Sequence, residues 1–125
     1  MRLLLDTHIF CWWFYQPERL SLRTLKLIRG AERVFISSAS IWEVAIKARL
    51  GKIDADPQEL FEQIEINNFH ELAVRSKHAA VVATLPLHHT DPFDRLLIAQ
   101  AISEPIHFLT ADSILKQYSE LIIEV

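Results

Sequence analysis

"MRLLLDTHIFCWWFYQP", residues 1–17, is the stretch whose reading decides the fold. A basic residue followed by an apolar run looks faintly like a secretory leader. Asp6 and His8 interrupt that run, and no small-residue cleavage site follows. The better reading is a short buried strand, RLLLD (2–6), which ends on an acid and passes the chain to a helix carrying IFCWWFY (9–15). A strand that is apolar throughout suits burial on both faces of a parallel sheet. Most of the aromatic run then belongs to the core, with part of it available to a partner.

Similar runs recur down the chain. RVFISS (33–38) and IHFLTAD (106–112) read as strands, and FHELAV (69–74) and ELIIEV (120–125) as weaker ones. Helical patterns lie between them. LSLRTLKLIRG (20–30) is expected to terminate at Gly30, and SIWEVAIKARLGK (40–52) to end at Gly51 with Ile41, Val44, Ala45 and Ala48 on its inner face. DPQELFEQIEINN (56–68) starts at Pro57, SKHAAVVATLP (76–86) stops before Pro86, and DPFDRLLIAQAIS (91–103) stops before Pro105. Strands separated by helices predict one α/β domain, residues 1–125, with a mostly parallel sheet flanked by helices.

Composition narrows the function. Half of the 125 residues are hydrophobic and 23% are charged, which excludes a disordered chain. A net charge of −3 argues against a strongly basic, non-specific nucleic-acid binder. Cys11 is the only cysteine, so neither an internal disulfide nor a cysteine zinc site is possible, and its thiol reads as buried and inert. No uncharged apolar run approaches membrane-spanning length, and the expectation is a cytoplasmic protein with no membrane partner.

The informative feature is where the acids fall. Asp6 ends the first strand, and Asp112 follows HFLT at the end of another. Glu43 sits near the start of the helix after VFISS, and Asp94 opens the helix after the DPFD turn. In an open parallel sheet all four lie along the carboxyl edge, where ligands bind. Each has a structural excuse. Asp6, Asp91 and Asp112 can cap helices, and Ser40 with Glu43 matches a capping box, with Lys47 one turn on to pair with Glu43. Capping does not explain why strand ends so regularly carry an acid. Clustered carboxylates repel, and a divalent cation relieves the repulsion. Oxygen ligands suit Mg²⁺ or Mn²⁺, and such an ion favours phosphate-ester chemistry. His88 and His89 show no zinc-ligand spacing and read as loop residues bordering the site. Lys47, Arg49 and Arg95 read as solvated salt-bridge partners close enough to steer a nucleic-acid backbone.

LLLDTH, SSASIWEVAIKARLGKI, HHTDPFDRLLIAQA and FLTAD, in that order and spacing, together resemble the PIN-domain family, and within it the VapC-type toxins of type II toxin–antitoxin pairs. The resemblance covers nearly the whole chain. It implies a Rossmann-like sheet, a Mg²⁺- or Mn²⁺-dependent endoribonuclease, and inhibition by a small antitoxin encoded alongside. Asp6, Glu43, Asp94 and Asp112 match the family's catalytic, metal-holding acids. Thr7, Asp91 and Thr110 stand at supporting positions. An RNA substrate and a homodimer are also expected. The residues alone leave two other readings open: a PIN-like binding module whose acids serve only as caps, and a metal-dependent phosphatase of a small molecule.

Overall fold

The computed structural model describes residues 1–125. β1 (Arg2–Leu5) is followed by α1 (Thr7–Tyr15), a 3₁₀ turn (Pro17–Arg19) and α2 (Leu22–Gly30). β2 (Arg33–Ser37) leads into α3 (Ser38–Arg49) and α4 (Pro57–Ile66), then β3 (His70–Leu72). α5 (Ser76–Val82) and α6 (Pro92–Ser103) precede β4 (His107–Thr110), a second 3₁₀ segment (Ser113–Tyr118) and β5 (Ile122–Glu124). Every strand pair is parallel, in the order β3-β2-β1-β4-β5. The five strands read from the sequence are the five strands of the sheet.

Sheet periodicity builds the core. β1 pairs Leu4 with Phe35 of β2 and Phe108 of β4. Alternate residues therefore serve opposite faces. Leu5, Val34, Ile36 and Leu109 join Ile9, Phe10, Val44, Leu60 and Ile64 in one cluster under α1–α4. Leu4 and Phe108 join Leu97, Ile98, Ala101 and Ile106 in the other, under α6. β1 is covered on both faces, which is why its sequence is apolar without alternation. The chain winds from β1 outward to β3, then returns past β1 to β4. The crevice where β1 and β4 diverge is the topological switch point of the sheet.

The helix starts obey the capping chemistry. Asp6, Ser21, Ser37, Asp56, Asp91 and Asp112 each accept a backbone N–H of the helical segment they precede. Three expectations need correction. α3 begins at Ser38 rather than Ser40, because Ser37 takes the cap, and no Ser40–Glu43 capping box forms. Its inner face is Ala39, Ser40, Glu43 and Val44, leaving Ala45 exposed. Gly30 does not terminate α2 in a left-handed conformation. It is the last helical residue and Ala31 is the C-cap. Gly51 does adopt φ 71° just beyond α3.

The two glycines should therefore respond oppositely to alanine. Gly30 has open space for a Cβ and ordinary backbone geometry, so Gly30→Ala should stabilise the protein by about 0.5–1 kcal/mol. Gly51→Ala should cost about 1–2 kcal/mol, because a Cβ is disfavoured at positive φ. Urea-unfolding midpoints of the two variants check both signs.

Candidate active site

The carboxyl edge of the sheet gathers the acids as the strand ends dictate. Asp6 is the residue after β1 and is 4% exposed. Its Oδ1 accepts the N–H of His8 at 2.8 Å, capping α1, and its Oδ2 accepts the hydroxyl of Thr110 at 2.8 Å. The Thr110 hydroxyl in turn accepts the N–H of Asp112 at 3.0 Å. One buried hydroxyl at the end of β4 thus ties both strand-end aspartates together. Asp112 also caps the 3₁₀ segment through Ile114, at 3.0 Å. Asp91 caps α6, its Oδ1 accepting the N–H groups of Phe93 and Asp94 at 2.8 and 3.0 Å. Asp94 stands as the third residue of that helix, at the positive end of its dipole.

Glu43 comes from the inner face of α3 and is only 2% exposed. Lys47, one turn on, donates to its Oε2, and its Oε1 is buried without a partner. An unpaired carboxylate oxygen in a buried position is costly. Burial acts to lower the Lys47 ammonium, but the hydrogen bond and charge of Glu43 outweigh it and hold its pKa above the usual lysine value.

Charge crowding is greatest at Asp94. Burial, then the charges of Asp6 and Asp91, push its carboxyl up to about 7, against an opposing hydrogen bond from His89. Nε2 of His89 lies 2.9 Å from Oδ2 of Asp94 and 3.9 Å from Oδ2 of Asp112. His89, Asp94 and Asp112 form the tightest group of potential metal ligands, with donor atoms all within 4.8 Å of one another. Asp6 and Glu43 flank this trio. Nδ1 of His8 lies 3.5 Å from Oδ1 of Asp6, and the interaction with that carboxylate raises its imidazole above the ordinary value.

The sequence located the acids but not all their neighbours. His89 shares the loop with His88 as expected, yet it enters the site. The only signal for it was its position five residues before Asp94. Thr110 supports an acid directly. The Thr7 hydroxyl instead donates to Ser40, 2.8 Å away, joining α1 to α3 behind Glu43. Arg95 departs most from expectation. It is 9% exposed and pairs with no carboxylate. Its guanidinium donates to the carbonyls of Val82, Leu85, Pro86 and His89 and to the Tyr118 hydroxyl. It therefore holds the loop before α6 instead of meeting solvent. Arg49 is exposed, as expected.

Hard oxygen donors, one imidazole, an orphaned buried carboxylate oxygen and a carboxyl that keeps its proton near neutrality are a chemically sensible receptor for a divalent cation.

Comparison with known proteins agrees with this geometry. The PIN-domain family profile matches residues 3–121. The chain is 30% identical over 117 residues to Ribonuclease VapC22 of Mycobacterium tuberculosis, spanning 92% of this chain and 90% of that protein. Its fold is shared with VapBC2 from Rickettsia felis, solved bound to a promoter DNA fragment (TM-score 0.71, 16% identity, covering 100% of this chain and 98% of that one). It is shared too with a toxin–antitoxin complex from Klebsiella pneumoniae (TM-score 0.67, 14% identity, covering 98% and 99%).

Two outcomes follow for the acids. A carboxyl raised in the folded state stabilises most below its unfolded value, and that contribution is lost as pH rises through the folded value. Metal-free protein should therefore lose stability from Asp94 between the ordinary aspartate range and about pH 7. In Asp94→Asn melting temperature should fall less over that interval. His8 contributes a slope of the same sign to both proteins, so the difference isolates Asp94. Equal slopes would mean the crowding is relieved some other way. At the cap, Asp91→Asn should preserve stability, whereas Asp91→Ala should cost about 1 kcal/mol by urea unfolding.

Proposed function

The chain belongs to the PIN-domain family, and from that premise we propose that it is a divalent-metal-dependent endoribonuclease, the toxin of a toxin–antitoxin pair. The observation that carries the reading is the convergence of Asp6, Glu43, Asp94 and Asp112 on the switch-point crevice, with Asp94 held up to about 7 by burial and its neighbours. Four helix caps would need no such crowding.

Asp6, Asp94 and Asp112 would hold Mg²⁺ or Mn²⁺, with His89 beside them. The ion supplies positive charge against a phosphodiester and acidifies water near it. The protein's own groups do the rest. Thr110 fixes Asp6 and Asp112 relative to each other. Asp91 fixes the first turn of α6 and so the approach of Asp94. Glu43 offers its free Oε1 as an acceptor for the attacking water, while Lys47 occupies the other oxygen. Water then attacks phosphorus in line with the leaving oxygen, and no covalent protein intermediate is required.

The substrate would be single-stranded or looped RNA, since unpaired strands can be splayed into a narrow acidic crevice. The two toxin–antitoxin structures support an antitoxin as partner. A homodimer fits the exposed apolar side chains Trp42, Phe61, Ile66 and Leu87. No helix is long and apolar enough to cross a membrane, and a cytoplasmic site of action is part of the proposal.

Cleavage of end-labelled structured RNA tests the reading. EDTA should abolish cleavage and Mg²⁺ or Mn²⁺ should restore it. Asp94→Asn should stay folded by circular dichroism and lose activity by orders of magnitude, because it removes a carboxylate that would hold the ion. Cleavage that survives exhaustive chelation, or full activity in Asp94→Asn, would overturn it. Turnover of a small phosphate ester with no action on RNA would favour a phosphatase.

A further inference from the structure

A pocket of about 620 Å³ opens beside the acids, between α1 and the segment that follows α3. Its lining differs in character from the acidic crevice. Trp12 and Tyr15, one turn apart on α1, supply aromatic surface, and Arg19 and Lys52 supply cations, with Asp54 the one acid in the lining; Lys47 and His8 also line the pocket, each already beside an acid of the site, Glu43 and Asp6. For a chain of net charge −3 this is a local concentration of positive charge.

From this juxtaposition we infer that the pocket is a nucleotide subsite, seating the base and phosphate of an unpaired RNA nucleotide that adjoins the scissile bond. The inference rests on the ribonuclease reading and extends it to a place on the surface.

Position is the first support. His8 and Lys47 line the pocket and also contact the acids, His8 through Asp6 and Lys47 through Glu43. Two side chains are thus common to the pocket and the acid cluster, so a strand seated in one reaches the other. Rigidity is the second. The Tyr15 hydroxyl accepts the N–H of Asp56 at 2.9 Å, which pins the ring against the segment leading into α4. A pre-set aromatic wall costs little ordering on binding. Chemistry is the third. The Arg19 guanidinium carbon lies 4.4 Å from the centre of the Trp12 ring, a stacked cation over an aromatic face. Guanidinium planes and aromatic rings are the two surfaces on which unpaired bases stack, and Lys52 is exposed nearby for the phosphate. The volume falls within the range of small-ligand sites. An acidic peptide would satisfy the cations but would leave the aromatic surface unused.

The test is fluorescence anisotropy of a short fluorescein-labelled single-stranded RNA of mixed sequence, titrated with the intact protein in EDTA across a range of salt. Arg19→Glu and Lys52→Glu change exposed residues and should each weaken binding about tenfold or more and lower the salt slope by roughly one. Trp12→Leu keeps apolar packing against the core and should weaken binding about tenfold by loss of stacking. Circular dichroism confirms that it folds. Arg33→Glu, at the opposite edge of the sheet, should bind as the parent does. The same sequence annealed into a duplex should compete poorly. Equal loss in Arg33→Glu, or unchanged binding in both Arg19→Glu and Lys52→Glu, overturns the subsite. A poly-glutamate peptide that displaces the RNA from the parent, with Trp12→Leu unaffected, overturns it in favour of an acidic protein partner. If the parent binds and cuts RNA while the pocket variants match it, only the subsite is wrong. If the parent neither binds nor cuts RNA, the ribonuclease reading fails and the subsite with it.

Discussion

Like charges at one edge of a parallel sheet are the constraint around which this molecule is arranged. Four carboxylates and a fifth at Asp91 converge where β1 and β4 part. Left in water they would spread. Here the backbone holds them. Asp6, Asp91 and Asp112 each spend an oxygen on helix N–H groups, and Asp6 gives its second to Thr110. Capping and crowding are therefore parts of one device: the cap that starts each helix also fixes the direction of a charge. The cost concentrates on Asp94, whose carboxyl rises to about 7, and on the unpaired Oε1 of Glu43.

The frame of this arrangement was legible in the sequence because its causes are local. A strand buried on both faces must be apolar without alternation, and LLL, VFI and HFL are. An aspartate before proline marks a helix start: Asp91 caps α6 as read, and α4 starts at Pro57 as read, with Asp56 its cap. Position at a strand end was enough to bring Asp6 and Asp112 to the same edge.

What escaped notice depends on contacts between distant parts of the chain. Local pattern favoured Ser40 as the start of α3, through its spacing to Glu43. Tertiary packing chose Ser37, which frees Ser40 to accept the Thr7 hydroxyl across 33 positions. Gly30 matched a terminating glycine, but nothing local required positive φ there, and the helix simply included it. His89 could be placed in a loop, but its main chain is fixed by Tyr118, whose hydroxyl accepts the His89 backbone N–H at 2.8 Å from 29 residues away, and its ring meets Asp94 through Nε2. Arg95 looked like a surface cation because charged residues usually are. Its burial follows from the carbonyls of the preceding loop, which fold back around it together with the Tyr118 hydroxyl.

That Arg95 arrangement has an evolutionary consequence. The guanidinium grips the loop from Val82 to His89 through main-chain carbonyls and not through its side chains. Every amino acid supplies a carbonyl. The exposed loop residues, such as Leu87 and His88, are thereby released from the task of keeping the loop in place, while Leu85 packs in the core and His89 meets Asp94. Those exposed side chains can change while the backbone path persists. The freedom is granted by one position that has little of its own: lysine, a single ammonium without the planar fork, cannot reach the same set of acceptors. Freedom at the exposed loop positions and constraint at Arg95 are two sides of one anchoring solution.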